Sequence, residues 1–533
     1  MSRILLVEPI AEPGRDLLAA AHDTSVRLNL PRAELLAALA EDGGWDALVV
    51  RSQTRVDAEL LAAAAPRLAV VGVASVGTDR IDLAAATRAG VMVVNAPTGN
   101  TVAAAEHTMA LMLALLRRIP SADASVRRGE WERTKYVGAE LRHRTLGIIG
   151  LGKIGKAVAR RASAFEMRVI AFDPFLTADQ ATEHAARLVG LLELLGRADV
   201  ITVHVPLVEQ TRGLIGEAQI QAMKEGAVLL NVARGGLVDE AALADALRSG
   251  RLAGAAVDVF ATEPMASDNP LRDAPNTILT PHLGASTAEA QDRVGLEMAE
   301  QLVLALSGVT PPYAINAPSI AMEVAPQLRP YVEVGRRLAI LGRQLVPGAA
   351  GPVSLTYAGE IAAWDGAPIR SAVLAELLEP ETDQRVNAVN ADLVAGERGF
   401  VVQERRTDAS EPWTSLVRLE LGEGDARLLL AGSSAHGRPR LAGIGDFAID
   451  ADLAGTILVT RHHDQPGIVG AVGTALAESG VNISSLELSR LSAAGEARMF
   501  VTVDEPIADS VLDRLRAVPG MIEALVVVLP PST

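Results

Sequence analysis

The chain of 533 residues contains no cysteine. Disulfides, thiolate metal sites, iron–sulfur clusters and cysteine nucleophiles are therefore excluded. Aromatic residues make up only 3%, so the cores must be assembled from Ala, Leu, Val and Ile. Positive charge is in deficit: Lys plus Arg total 49 against 65 for Asp plus Glu, a formal net charge of −16. A nucleic-acid or anionic-membrane binder needs a basic footprint that this balance does not supply. No uncharged apolar run approaches the roughly 20 residues needed to span a bilayer. The opening MSRILLVEP reads as a first strand, not as a signal peptide. The expectation is a cytoplasmic protein with neither a nucleic-acid nor a membrane partner. What is present is globular: 49% hydrophobic and 21% charged residues argue against a disordered chain. The length corresponds to roughly three to four domains.

Short apolar runs at Arg3–Val7, Asp46–Arg51, Leu68–Val73 and Val91–Val94 alternate with Ala/Leu-rich stretches of helical period. Strand–helix alternation with continuous apolar strands predicts a parallel sheet covered on both faces. A long apolar helix follows from Thr101 to Ile119, with Val102, Ala105, Met109, Met112 and Leu116 on its buried face. A second alternating block then supplies six strand-like runs: Leu146–Ile149, Arg168–Phe172, Asp199–Val203, Ala227–Val232, Gly254–Val259 and Thr277–Thr280. That is the size of a complete dinucleotide-binding domain. Ser286 and Glu289 form a capping box that predicts a helix ending near Ser307-Gly308. Three prolines in residues 308–318 mark a linker. Residues 319–452 read as an α+β domain, where basic residues such as Arg438 and Arg440 are assigned to solvated surface. From residue 455 the order is βαββαβ, the ferredoxin-like split unit. The expected class is therefore α/β: two doubly wound parallel-sheet domains, an α+β intervening domain and a ferredoxin-like domain.

Gly150, Gly152 and Gly155 form a G-x-G-x-x-G that follows a predicted strand and opens a predicted helix. Glycines there permit a tight turn and close approach to a pyrophosphate, and the helix start offers N–H groups to its charge. Asp173, 23 residues after Gly150 at the end of the next strand, can accept hydrogen bonds from an adenosine ribose and would repel a 2′-phosphate. NAD is expected over NADP. Arg234, Glu263 and His282 each stand just past the carboxyl end of a predicted strand, where ligands bind in open α/β sheets. Their chemistry is coherent. A histidine can exchange a hydroxyl proton near neutral pH, a glutamate can favour its imidazolium, and an arginine can hold a 2-oxo-carboxylate. His22, His107, His184 and His436 lack such company and are read as ordinary satisfied residues.

The segments NVARGGLVDEAAL, DVFATEP and TPHLGAS, in this order, resemble the D-2-hydroxyacid dehydrogenase family. The resemblance implies that His282 is the acid/base, Glu263 its partner and Arg234 the substrate-orienting residue. The segments VRSQTRV, ASVGTDRIDL, NAPTGNTVAAAEHT and GEWERTKYVGAEL are similar to the 3-phosphoglycerate dehydrogenase branch, whose long form carries an intervening domain and a C-terminal ACT domain. By that resemblance the substrate domain comprises residues 1–98 and 286–310, the NAD domain 99–285, the intervening domain 319–452 and the ACT domain 455–533. It implies 3-phosphoglycerate as substrate, contacted by Arg51, Val76, Gly77, Asn100 and Arg234, with Arg133 and Lys135 reaching a neighbouring subunit's site. It implies NAD contacts at Val76, Lys153, Ile154, Asp173, Val205, Val232, Ala233, Arg234, Asp258, His282, Gly284 and Ala285 as well as the three glycines. No metal is expected. The D-x-P-G core at residues 464–467 resembles an ACT ligand loop, which implies L-serine as an effector held by Asp464 and Asn482, and a homo-oligomer, dimeric or tetrameric. Two other readings stay open at this point. One is a different D-2-hydroxyacid dehydrogenase acting on 2-oxoglutarate, hydroxypyruvate or glyoxylate. The other is a non-catalytic NAD-sensing scaffold.

Overall fold

Continuous apolar strands, buried on both faces, build the first two sheets. β1 (Arg3–Leu6), β2 (Asp23–Val26), β3 (Ala47–Val50), β4 (Val70–Val73) and β5 (Met92–Asn95) pair in parallel in the order β2-β1-β3-β4-β5. Side chains alternate between faces, so Leu5, Leu48, Val71 and Val93 enter one core cluster and Ile4, Ala47, Val49 and Val70 another. The second face is closed by a helix from far along the chain, Ala288–Leu306, through Val294, Met298 and Leu302. The structure, a computed structural model, describes residues 1–321, 323–346, 352–379, 382, 385–424 and 427–531.

The second sheet contains β6 (Thr145–Ile149), β7 (Arg168–Phe172), β8 (Arg187–Leu188), β9 (Val200–Val203), β10 (Val228–Asn231), β11 (Gly254–Val257) and β12 (Thr277–Leu279). All are parallel, in the order β12-β11-β10-β9-β6-β7-β8. The order reverses at β6, which places a binding crevice outside its carboxyl end. The long helix Thr101–Leu116 covers this sheet and buries Ala105, Met109 and Met112, while Val102 is exposed on its first turn.

β13 (Val353–Gly359), β14 (Val402–Thr407), β15 (Ser415–Leu421), β16 (Leu428–Ala435), β17 (Arg438–Ile444) and β18 (Phe447–Asp452) form a mixed sheet beneath the helix Ala325–Leu345. Arg440 in β17 is not simply solvated surface. The cross-strand register sets it opposite Asp452, and its Nε donates to Asp450 Oδ1 at 2.7 Å. β19 (Gly455–His463), β20 (Ile483–Arg490), β21 (Glu496–Val503) and β22 (Met521–Leu529) are antiparallel in the order β20-β21-β19-β22. With the helices Ile468–Ala477 and Asp509–Arg516 this is the expected βαββαβ unit. Ile457, Val459, Phe500 and Val527 of the last sheet join Val334, Leu338 and Leu441 in one cluster, so the third and fourth sheets share a core.

The proline-rich segment 308–318 is pinned, contrary to its reading as a plain linker. Ala314 bridges to Val94, and Asn316 accepts from Val93 N at 2.8 Å and donates to Val91 O at 2.9 Å. Asn387 of the intervening region donates to Gly90 O at 2.7 Å. Both attachments grip the amino end of β5, opposite the strand ends that carry the candidate site. Among the described residues, no helix is long and apolar enough to cross a membrane.

Candidate active site

The turns after β10, β11 and β12 converge. His282 follows β12, and its Nδ1 lies 2.8 Å from Glu263 Oε2. Glu263 is itself held by Phe260 N, which donates to Oε1 at 3.0 Å. With a carboxylate accepting at Nδ1, that nitrogen carries the proton and Nε2 is left for a substrate hydroxyl. The hydrogen bond from Glu263 raises the His282 imidazolium above its ordinary range, against the opposing effect of burial. Burial pushes the Glu263 carboxyl up, but its bonds to His282 and to Phe260 N outweigh this and hold it below the usual carboxylate range.

His282 also has left-handed backbone, φ 56°, a conformation that a non-glycine residue keeps only when its surroundings dictate it. Asp258 supplies that constraint. Its backbone carbonyl accepts His282 N at 2.8 Å, and its fully buried carboxylate accepts from Leu283 N at 2.8 Å, Gly284 N at 2.9 Å and Thr280 Oγ1 at 2.6 Å. His107 Nε2 lies 3.2 Å from the same carboxylate, in keeping with its reading as a satisfied residue. Asp258, expected among the cofactor contacts, thus spends its oxygens on the His282 turn.

Arg234 follows β10 and crosses to the first sheet. Its Nε donates to Asp79 Oδ2 at 3.0 Å and its Nη1 to Ala233 O at 2.7 Å. Gly77 is the residue that makes room: a Cβ there would stand 2.1 Å from Arg234 Nη2. Two buried asparagines brace the surrounding turns. Asn231 donates to Arg234 O at 2.9 Å, and Asn95 donates to Val76 O at 2.7 Å. Asp79, Asn95 and Asn231 were not singled out from the sequence. Their partners lie up to 155 residues away in the chain, or on a turn whose shape the sequence does not spell out. Arg51 stands at the end of β3, and its guanidinium makes no ion pair among the described residues. Asn100 precedes the helix Thr101–Leu116 with its Oδ1 buried and unpartnered.

The residues around β6 fit a dinucleotide. Gly155 packs so closely that a Cβ would stand 2.2 Å from Gly150 O, while Gly152, capping the helix Lys153–Ala164, faces open space at the helix start. A pyrophosphate there would meet free N–H groups and the positive end of the helix dipole. Asp173 follows β7, and its Oδ2 accepts Leu151 N at 2.9 Å, which ties the glycine turn to the end of β7. Val205 lies against Gly150, Val232 is buried beside Gly284, and Ala285 follows it in the His282 turn. Ile154 is half-buried on the first helical turn. The Lys153 ammonium lies 5.2 Å from the centroid of the Tyr313 ring. His204 is no rival base, because burial pushes its imidazolium down to about 4.

Some expected residues are not brought together. Arg133 and Lys135 stand on an exposed turn, Arg133–Tyr136, where Lys135 pairs with Glu132 at 3.0 Å. No bond links either to Arg234, Glu263 or His282. Asp464 and Asn482 lie at opposite ends of the fourth sheet. Ile483 aligns through Val503 with Thr456, at the start of β19, whereas Asp464 follows its end. Asp464 accepts from Arg490 at 3.0 Å, and Asn482 donates to Asp504 at 2.6 Å. His462, beside Asp464, is 2% exposed with both ring nitrogens unpartnered.

Comparison with known proteins agrees with this architecture. Residues 109–284 match the family described as D-isomer specific 2-hydroxyacid dehydrogenase, NAD binding domain. Residues 327–445 match the D-3-phosphoglycerate dehydrogenase intervening domain and residues 456–520 the ACT domain. The chain is 39% identical over 530 residues to a D-3-phosphoglycerate dehydrogenase of Archaeoglobus fulgidus, covering 99% of this chain and 100% of that protein. It is 38% identical over 532 residues to that of Bacillus subtilis, covering 99% and 100%. Among solved structures, D-lactate dehydrogenase from Aquifex aeolicus, complexed with NAD and lactic acid, aligns with a TM-score of 0.52 at 29% identity, covering 60% of this chain and 100% of that one. The TT0316 protein from Thermus thermophilus aligns with a TM-score of 0.54 at 37% identity, covering 59% and 99%.

Proposed function

This chain belongs to the D-3-phosphoglycerate dehydrogenase family, and from that premise we propose that it oxidises 3-phospho-D-glycerate to 3-phosphohydroxypyruvate with NAD, the first step of L-serine synthesis. The observation that carries the reading is the pair His282–Glu263 at 2.8 Å, beside an Arg234 held across the cleft by Asp79. Gly150, Gly152 and Asp173 would hold NAD, which when bound would supply the acceptor for the hydride at the substrate's C2. His282 Nε2 takes the proton of the 2-hydroxyl as that hydride leaves, and Glu263 stabilises the resulting imidazolium. Arg234 holds the carboxylate and polarises the nascent carbonyl. Arg51 receives the substrate phosphate, with Arg133 and Lys135 contributed by a neighbouring subunit. The loop residues Val76 and Gly77 close the same site from the substrate domain, residues 1–98 and 286–310, and Asn100 from the start of the NAD domain, residues 99–285. The intervening domain, 319–452, and the ACT domain, 455–533, form the regulatory half.

Feedback inhibition by L-serine follows on the same reading. Because Asp464 and Asn482 lie at opposite ends of one sheet, a serine held by both needs two copies of the chain, in keeping with a homo-oligomer, dimeric or tetrameric. A panel of 2-hydroxy and 2-oxo acids, followed by NADH absorbance, tests the assignment. 3-Phosphoglycerate should give the highest kcat/KM. A higher value with lactate, or in the reverse direction with glyoxylate or 2-oxoglutarate, would reassign the substrate, and no turnover at all would favour a scaffold. L-Serine should inhibit, and Asn482→Ala should relieve that inhibition while leaving uninhibited turnover intact.

A further inference from the structure

Glu8 follows β1 and takes no part in the chemistry assigned above, yet it is 3% exposed. A buried carboxylate is costly unless it is hydrogen-bonded. Its partners are three consecutive backbone groups. Oε2 accepts Ser52 N at 2.9 Å and Gln53 N at 3.1 Å, and Oε1 accepts Thr54 N at 2.8 Å. Burial pushes the Glu8 carboxyl up, but the backbone N–H groups of Thr54 and Ser52 outweigh it and hold it below the usual range, so it is ionised when it binds them. The gripped residues directly follow Arg51. From the other side, Ser75 Oγ, which donates to Gly77 O at 2.7 Å, lies 3.4 Å from Arg51 O. The segment bearing Arg51 is thus held by Glu8 on one flank and packed against Ser75 on the other, while its guanidinium makes no ion pair among the described residues.

We propose that Glu8 is a positioning residue for substrate recognition, clamping residues 52–54 so that Arg51 is presented in one place to the phosphate of the substrate. The inference rests on the assignment of Arg51 to that phosphate. A long cationic side chain on a mobile loop would lose conformational freedom when it binds, and a loop fixed beforehand avoids much of that cost. A carboxylate suits the task because it only accepts. An amide in its place would turn an NH2 donor toward N–H donors.

The test uses Glu8→Gln and Glu8→Asp in the full chain. Glu8→Gln should raise KM for 3-phosphoglycerate by about ten-fold or more, as for loss of a charge-assisted hydrogen bond. Its kcat should stay within about two-fold, the pattern of lost ground-state binding. KM for unphosphorylated D-glycerate and the Kd for NADH should move little, and amide hydrogen exchange at Ser52, Gln53 and Thr54 should accelerate. Glu8→Asp keeps the charge but is one methylene short, so its KM should fall between the two, which separates positioning from a general loss of folding. Arg51→Gln should raise the same KM, and adding Glu8→Gln to it should add little. Equal KM increases for both substrates, or unchanged exchange at residues 52–54, would overturn the proposal. If Arg51→Gln raises KM and Glu8→Gln does not, only the clamp falls. If Arg51→Gln leaves KM unchanged, the phosphate assignment falls and takes the clamp with it.

Discussion

At His282 the side chain and the backbone are constrained separately, Glu263 fixing the ring and Asp258 the left-handed turn. The first constraint has a pH signature. Oxidation needs neutral His282, so kcat/KM for 3-phosphoglycerate should rise with pH through a value above 6.5, and the reverse reduction should fall through the same value, because Glu263 raises the imidazolium. Glu263→Gln should move both limbs to lower pH as well as slow the reaction. Gly77 makes a second case. In Gly77→Ala the new Cβ would meet Arg234 Nη2 at 2.1 Å and Asp79 Oδ2 at 2.8 Å, both ends of flexible side chains. The fold should survive with little change in melting temperature, while displacement of Arg234 raises KM by about ten-fold or more, the value of a charge-assisted bond. Arg234, Glu263 and His282 were legible in the sequence because each ends a strand-like run inside a distinctive segment. Asp79, Asn95 and Glu8 were not, since each acts on groups that only the fold brings near, and Asn231 was not, since it braces a turn whose shape the sequence does not spell out.

At the scale of elements, strands with unbroken apolar runs were readable and polar edge strands were not. β2, with the sequence DTSV, and the two-residue β8 each lie at a sheet edge with exposed residues, so neither carries an apolar run. The helix expected from Ser286 is capped one residue later, where Thr287 accepts Ala290 N at 3.1 Å. Asp173 shows one residue serving two elements, since it directly follows β7 and also holds the glycine turn through Leu151 N. Asp173→Ala should therefore weaken NAD binding and narrow the preference over NADP by about ten-fold or more, on the usual strength of a charge-assisted hydrogen bond. The ratio of kcat/KM for the two cofactors measures this, and an unmutated enzyme that uses both equally would contradict it.

At the scale of the molecule, the order of domains could be read along the chain, but their attachments could not. One enclosed attachment is Arg337 of the helix Ala325–Leu345, 2% exposed, which donates to Leu453 O at 2.5 Å, Pro530 O at 2.8 Å and Pro531 O at 3.0 Å, joining that helix to the segments flanking the fourth sheet. Arg337→Met should destabilise the regulatory half by about 1.5–3 kcal/mol or more. Proteolysis or calorimetry of the full chain should register that loss with uninhibited kcat unchanged. Asn316 of the linker and Asn387 of the intervening domain hold the first sheet at the amino end of β5, away from the strand ends where His282 stands. On the proposed mechanism the chemistry depends on one proton acceptor. NADH formation from 3-phosphoglycerate, measured side by side for the full chain and for His282→Gln, tests it most directly. The account predicts robust turnover for the first and a loss of roughly 10²–10⁴-fold in kcat for the second, with NADH affinity nearly unchanged. Near-normal turnover by His282→Gln would contradict it.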